Sequence, residues 1–254
     1  MYAAERQRGI YDLARQKGRV SVAGLAREFD VTTETIRRDL DYLNDQGVLR
    51  RVHGGAVIAS NVELTETGLA DREPTHAAQK NQIAAAAMEF LPGATGSLLL
   101  DAGTTTSRVA AMLTPESART VITGSVPVAG QLINNGLNLQ LLGGRVRGIT
   151  GAAVGADTVA AISKLRCDVA FIGVNGLSLT HGLSTPDADE AAVKQAMVNA
   201  AKHVIVLADS SKIGAELLVS FAAISDVDVL VTDAGVATND CGQLEAAGVQ
   251  VVIA

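Results

Sequence analysis

One ten-residue stretch constrains this chain more than any other: Leu98-Leu99-Leu100-Asp101-Ala102-Gly103-Thr104-Thr105-Thr106-Ser107. A short apolar run passes through a small-residue turn into Val109, Ala110 and Leu113 at helical spacing, which reads as buried strand, tight loop and helix. Gly103 lets the backbone turn sharply and approach a ligand. The Thr/Ser run offers hydroxyls and free N–H groups at a helix N-terminus, where the partial positive charge favours an anion. The same residues also suit an ordinary hydroxyl-capped helix. No lysine follows the loop and the glycine spacing of a dinucleotide fingerprint is missing, which weakens a nucleotide-binding reading.

From His76 onward, helical and strand-like segments alternate. Helices are expected over 82–90, 105–113, 127–134, 190–201 and 243–247, and strands over 97–100, 120–123, 137–142, 169–173, 204–208, 227–232 and 249–253. This alternation predicts a mainly parallel sheet with helices on both faces, a Rossmann-like α/β domain. The low aromatic content (3%, no Trp) suits close helix-to-sheet packing. Ligands of such sheets gather at strand C-terminal ends. Four loops there carry polar chemistry suited to a polyol or phosphate: 101–107, Thr123-Gly124-Ser125, Gly173-Val174-Asn175-Gly176 and Ala208-Asp209-Ser210-Ser211-Lys212. Lys212, after two serines, is a candidate ligand contact. Glu190 and Lys194, spaced i,i+4 on one helix, form either a surface couple or part of the same site.

Several classes are excluded or disfavoured. The first fifteen residues carry Glu5, Arg6, Arg8 and Asp12, unlike a signal peptide, and no run of about 18 apolar residues follows, so the expectation is a cytoplasmic protein with no membrane partner. Cys167 and Cys241 are isolated, and His53, His76, His181 and His203 are scattered. Neither a disulfide framework nor a metal site is expected, and no cofactor.

Residues 1–60 hold ten Lys/Arg against eight Asp/Glu, whereas the whole chain has a net charge of −6. If DNA is a partner, only this end can be its docking surface. Residues 5–16 form an amphipathic helix ended by Gly18, and Ser21 caps a second over 22–29. After a turn at Asp30-Val31, Thr32 caps a third helix, ended by Gly47. On it Ile36, Leu40 and Leu43 face inward, leaving Thr33, Thr35, Arg37 and Arg38 outward. Two short helices with hydroxyls and paired arginines in the first half of the second are the parts of a helix-turn-helix. Val48 to Ile58, around Gly54-Gly55, reads as a β-hairpin, a basic wing whose Arg50, Arg51 and His53 would contact phosphates or the minor groove. Residues 59–75, polar and without apolar period, are expected to link this unit (1–58) to the second domain (76–254).

The segment from Arg19-Val20-Ser21-Val22 through Thr35-Ile36-Arg37-Arg38-Asp39-Leu40 to Arg50-Arg51-Val52-His53-Gly54-Gly55 resembles the winged helix-turn-helix of the DeoR family of bacterial transcription regulators. The resemblance continues through Asp101–Thr106, Leu142-Gly143-Gly144-Arg145-Val146-Arg147, Phe171–Gly176, Lys194-Gln195-Ala196-Met197 and Leu207–Lys212. It implies DNA contacts by Thr35, Arg37 and Arg38, and a sensor domain similar in fold to ribose-5-phosphate isomerase and glucosamine-6-phosphate deaminase. The implied effector is a phosphorylated sugar, with phosphate binding by Gly103, Thr104, Thr105, Thr106 and Lys212. Polyol contacts are implied for Asp101, Asn175, Glu190, Lys194 and Asp209. One departure is visible: the family commonly has Thr-Asn-Ser where this chain has Thr123-Gly124-Ser125, which bears on which sugar fits.

The expectation is therefore a repressor of a sugar-catabolism operon, released from double-stranded operator DNA by a phosphorylated sugar, and a homo-oligomer, dimer or tetramer. The competing class is a sugar-phosphate isomerase or deaminase with a DNA-binding head. Where such isomerases carry paired catalytic aspartates, this chain has Asn175, which cannot act as a base.

Overall fold

A computed structural model of the chain describes residues 3–45, 49–52, 54–58 and 68–254. The chain divides into two units, Met1–Val62 and Glu63–Ala254. Gly47, His53 and the first part of the expected linker, 59–67, lie outside the described residues.

The first unit runs α1 (Ala3–Lys17), β1 (Arg19–Ser21), α2 (Val22–Glu28), α3 (Thr33–Asp45), β2 (Leu49–Val52) and β3 (Gly55–Ile58). Ser21 caps α2, its hydroxyl accepting from the Gly24 amide. The turn into α3 passes through Asp30 at φ 49°, a left-handed conformation that a short polar side chain tolerates. The Thr32 hydroxyl then caps α3 by accepting from the Thr35 amide at 3.2 Å. Ile10, Ile36, Leu40 and Leu49 are fully buried in the core of this unit. The expected hairpin is part of a three-stranded antiparallel sheet ordered β1-β3-β2, since Arg19–Ser21 pairs with Gly55–Val57. Glycine is required at the turn: Gly54 has φ +76°, and a Cβ on Gly55 would lie 2.0 Å from the Val20 carbonyl oxygen.

The second unit begins with α4 (Leu69–Arg72) and α5 (Ala77–Ala87), followed by a short 3-10 turn at Met88–Phe90. Residues 68–75, expected in the linker, are thus part of this unit: the Leu69 amide donates to the Ile149 carbonyl at 3.2 Å. Then come β4 (Gly93–Leu100), α6 (Thr104–Met112), β5 (Ala118–Thr123), α7 (Val126–Leu132), β6 (Leu139–Leu141), β7 (Arg145–Val146), β8 (Ala153–Val154), α8 (Ala156–Ile162) and β9 (Cys167–Gly173). The chain continues through β10 (Gly176–Ser178), β11 (Gly182–Thr185), α9 (Ala188–Ala200), β12 (Ala201–Leu207), β13 (Val219–Ala222), β14 (Val229–Thr232), α10 (Thr238–Ala246) and β15 (Gln250–Ile253).

Seven strands form one wholly parallel sheet ordered β15-β14-β12-β9-β4-β5-β6. Both faces are covered, which explains why its central strands are near-continuous apolar runs. Leu98 and Leu100 pack with Ile83, Val109 and Leu132 on one side, while Leu99 packs on the other in the cluster that contains Ile162, Met197 and Leu244. Truncating any of these three leucines to alanine is expected to cost about 2–5 kcal/mol.

The chain proceeds outward from β4 through β5 to β6, then returns to place β9 on the other side of β4. A crevice opens where the winding reverses, outside the carboxyl ends of β4 and β9. A second antiparallel sheet, β10-β11-β13, was not expected. Its strands are only three or four residues long, and β13 arrives from far along the chain, so local periodicity carries little signal for it.

Candidate functional site

The crevice between β4 and β9 opens into a cleft lined largely by polar residues. Its lining includes Gly103, Thr104, Thr105, Thr106, Asn175, Glu190, Lys194, Asp209 and Lys212, which the fold gathers from four separate segments.

The floor at β4 is set by helix geometry. The first intrahelical bond of α6 runs from the Ser107 amide to the Gly103 carbonyl at 2.9 Å. The amides of Thr104, Thr105 and Thr106 therefore have no acceptor among the described residues, and they line the cleft. The Thr106 hydroxyl donates to the Gly103 carbonyl at 3.0 Å. Gly103 itself is extended (φ 163°, ψ 166°), a conformation open to any residue. The expected reason for glycine, a sharp turn, is therefore corrected: what its missing side chain provides is open space at the head of the helix.

Lys194 and Glu190 are both buried, and the surface couple is not formed. The Lys194 ammonium donates to the Asp101 carboxylate and, at 2.9 Å, to the Gly173 carbonyl, with the Phe221 ring 5.8 Å away. Asp101 is not part of the lining. It accepts from the Gly173 amide at 2.9 Å and from Lys194, so it holds that lysine in place. Glu190 is engaged by Arg147 at 2.6 Å and by the Thr150 hydroxyl. Asn175 Oδ1 accepts from the Thr185 hydroxyl at 3.2 Å. Asp209 is buried and accepts from the Ser211 amide at 3.2 Å and from its hydroxyl, so it shapes the loop that carries Lys212. The Lys212 amide donates to the Asp209 carbonyl at 2.9 Å, whereas its ammonium has neither a hydrogen bond nor an ion pair among the described residues.

The loop Thr123-Gly124-Ser125 is not part of the cleft lining. Thr123 and Ser125 turn inward, the Ser125 hydroxyl capping α7 by accepting from the Val128 amide. A Cβ on Gly124 would meet Ala153 at 3.7 Å. Five lining residues escaped sequence reasoning: Arg72, Thr75, His76, Lys80 and Thr150. Arg72 sits in the stretch expected as linker, and Lys80 falls on the first turns of α5, before the apolar period becomes visible. Burial lowers the Lys80 ammonium below the usual lysine range, with Asp209 opposing and Arg108 and Lys212 reinforcing that shift. Counting charges, Arg72, Lys80, Lys194 and Lys212 outnumber Asp209 and Glu190 around the cleft.

In the first unit, α3 exposes Thr33, Arg37 and Arg38, with Thr35 half-buried. The two guanidinium groups are 54% and 80% exposed and lean on Glu34 at 3.4 and 3.7 Å, pairs too solvated to hold them firmly. Asp39, adjacent in sequence, turns the opposite way and accepts from Arg6 at 2.6 Å, which raises the arginine's pKa further above its ordinary value. On the wing, Arg50 lies opposite Val57 on β2. Arg51 pairs with Asp41 at 3.1 Å, and its Nη1 is buried without a partner among the described residues. Expected to face phosphates, Arg51 thus also ties the wing to α3.

Among the described residues no three His, Cys, Asp or Glu are placed to hold a metal ion, and no helix is long and apolar enough to cross a membrane. Cys167 and Cys241 are free thiols, both raised above the ordinary range by burial first of all.

A helix-turn-helix with an exposed arginine pair, joined in one chain to an α/β unit with a cationic cleft at its winding reversal, defines a ligand-sensing DNA-binding regulator. The chain belongs to the DeoR family of transcriptional regulators: residues 6–62 match the DeoR-like helix-turn-helix domain and 75–234 the DeoR C-terminal sensor domain. It is 36% identical to the HTH-type transcriptional regulator GlpR of Haloferax volcanii, over 99% of this chain and 98% of that protein. It is 34% identical to the glycerol-3-phosphate regulon repressor of Escherichia coli (strain K12), over 92% of each. Among solved structures, ribose 5-phosphate isomerase A of Neisseria gonorrhoeae matches 54% of each chain at 15% identity with a TM-score of 0.41. These relatives, matched over nearly their whole length, are transcriptional regulators, and this chain is a regulator of the same family.

Proposed function

We propose that the chain is a cytoplasmic repressor of a sugar-catabolism operon, released from its operator when a phosphorylated sugar enters the cleft. The observation that carries this is the set of donors lining one cleft: three amides of α6 and the Lys212 ammonium, none with an acceptor among the described residues. A phosphate dianion accepts from such groups and is favoured by the helix dipole. Gly103, Thr104, Thr105, Thr106 and Lys212 bind the phosphate. Asn175, Glu190, Lys194 and Asp209 hydrogen-bond the polyol, and Asp101 acts through Lys194. The relative named for the glycerol-3-phosphate regulon supports a phosphorylated polyol as the class.

On the DNA side, Thr33, Thr35, Arg37 and Arg38 reach base edges in the major groove, and Arg50, Arg51 and His53 track the backbone. A homo-oligomer, dimer or tetramer, presents paired recognition helices to half-sites. Linkage requires that the sugar phosphate and the operator weaken each other's binding equally, by about 1–3 kcal/mol for a typical effector. The test is titration of an operator fragment with and without glycerol 3-phosphate, fructose 1-phosphate and glucose 6-phosphate. Weakened binding with one of them, and none with its unphosphorylated parent, is expected; unchanged operator affinity with every sugar phosphate sinks the reading.

A further inference from the structure

From Thr120 to Gly144 the chain carries no Asp, Glu, Lys, Arg or His, and this uncharged stretch builds most of β5, all of α7 and all of β6. β6 is one edge of the seven-stranded sheet, and among the described residues no strand covers its outer side. The Asn138 carbonyl accepts from the Val121 amide at 2.9 Å and the Leu142 amide donates to the Thr123 carbonyl at 2.8 Å, both toward β5. By alternation, Leu139 and Leu141 turn their own N–H and C=O groups to the open side. Natural edges are normally blunted by charge or proline, and β6 carries neither. Leu139 packs in the cluster that holds Val128 and Leu132, so Leu141, two positions on and 51% exposed, lies on the α7 face of the sheet. Along α7 and its C-cap, Val126, Gly130 and Ile133 at i, i+4 and i+7 present an apolar stripe, with Val126 46% and Ile133 72% exposed. The opposite edge differs. There α10 packs on β15 and carries Asp240 and Glu245, like charges that a two-fold through that edge would bring together.

We propose that β6 and α7 are the surface through which two sensor units pair, a second copy of this chain adding its β6 antiparallel to this one about a two-fold axis at Gln140. The pairing rests on the reading of the protein as a homo-oligomer and names the surface that makes it one. A second copy fits because the edge is self-complementary. Leu139 of one copy and Leu141 of the other exchange N–H and C=O bonds, and the same exchange recurs on the far side of the axis. Gln140 then stands opposite its own symmetry mate, each amide offering both a donor and an acceptor. The two sheets become one, with both copies of α7 on the same face of it. At Gly130, between Val126 and Ile133, a Cβ would meet nothing within 4 Å, so the stripe has room for a neighbour. Charge selects the same occupant: the strip offers nothing to an acidic or basic partner, and against itself it sets no like charges together. A two-fold of this kind closes after two copies and leaves only the β15 edges outermost.

The experiment is sedimentation velocity of the full-length protein over a concentration series, with and without operator DNA. Gly130→Glu sets a carboxylate in open space on α7 and like charges across the axis, and Leu141→Lys blunts the edge itself. Each should halve the mass of the assembly or raise its dissociation constant about 10- to 100-fold, with far-UV circular dichroism unchanged. Ile253→Lys, on β15, should leave the mass as it is. Gln140→Cys in a Cys241→Ser background should form a disulfide between two copies, with oxidised glutathione taking up the two electrons and two protons of the thiols. The pair at the axis is a non-hydrogen-bonded one, whose Cα atoms lie about 4.5 Å apart, within disulfide reach. Wild-type mass in both Gly130→Glu and Leu141→Lys, or no disulfide in Gln140→Cys, overturns the β6 pairing and leaves the oligomer reading standing. So does dissociation by Ile253→Lys alone. If a charged variant unfolds, the disulfide decides, since Gln140 is exposed and its replacement disturbs no core packing. A wild type that sediments as a monomer under every condition overturns both.

Discussion

The Lys194 ammonium donates to the Asp101 carboxylate across 93 positions of sequence, and each side chain is only 6% exposed. The pair joins the C-terminal end of β4 to α9, and through the Gly173 amide and carbonyl it also reaches β9. It therefore clamps together the carboxyl ends of the two strands at which the cleft opens.

Breaking that pair from one side leaves a charge buried without its partner. Asp101→Asn should destabilise the sensor unit by about 3–5 kcal/mol. Urea unfolding of the full-length chain, read by far-UV circular dichroism, checks this. The double variant Asp101→Asn/Lys194→Met should recover part of the loss, and strictly additive effects would show that the two groups do not couple.

Gly103→Ala separates folding from ligand binding. Its backbone is extended, and a Cβ there would lie 3.4 Å from the Thr106 hydroxyl. The fold should tolerate the methyl within about 0.5–1 kcal/mol, whereas a phosphate seated over the α6 amides would meet it. Thermal denaturation should show a near-native midpoint with the sugar-phosphate shift reduced or gone. A full ligand response would move the seat elsewhere.

Arg38 and Arg51 should differ in kind. Arg38→Ala is expected to weaken operator binding by about 1–3 kcal/mol and relax the preference at one base position. Arg51→Ala should weaken all sequences alike and lower the salt slope of binding by about 1. Fluorescence anisotropy over a salt series distinguishes them, and identical behaviour would remove the division between helix and wing.

Asp39→Asn should abolish operator binding without touching a DNA contact. Arg6 and Asp39 are 11% and 5% exposed, so the substitution strands a buried guanidinium at a cost of about 3–5 kcal/mol, much of the stability of so small a unit. Loss of operator binding alongside loss of the first unit's cooperative unfolding is the expected result. Retained folding with lost binding would instead make Asp39 a DNA-facing residue.

Acid sensitivity should enter through Asp168. Hydrogen bonds from Lys202, then from the Ser97 amide and hydroxyl, hold its carboxyl far below the ordinary range. A depressed folded-state pKa stabilises above the unfolded value near 4, and that contribution fades as pH falls toward the folded value. The group is partly exposed, so the effect is below about 1 kcal/mol. Asp168→Asn should lower the melting midpoint at pH 7, and its gap from the wild type should begin to narrow only below about pH 4 and go on narrowing as pH falls further. A difference that does not change with pH would assign the effect to packing.

Much of this protein was already legible in its residues. Ile36, Leu40 and Leu43 oriented α3, Ser21 and Thr32 marked helix starts, and the run Leu98–Leu100 before Asp101 placed a buried strand and the loop that follows it. These are local signals, written in period, cap and turn chemistry within a few positions. What the tertiary structure decided was where polar side chains end up once distant segments meet. Lys194 turned from Glu190 to Asp101, Glu190 turned to Arg147, the Thr123–Ser125 loop was used up in capping α7, and Arg72 and Lys80 came to the cleft from a stretch that has no apolar period. A charged residue reads as surface until a partner far along the chain makes its burial affordable, and that partner is set by strand order, which no local pattern encodes.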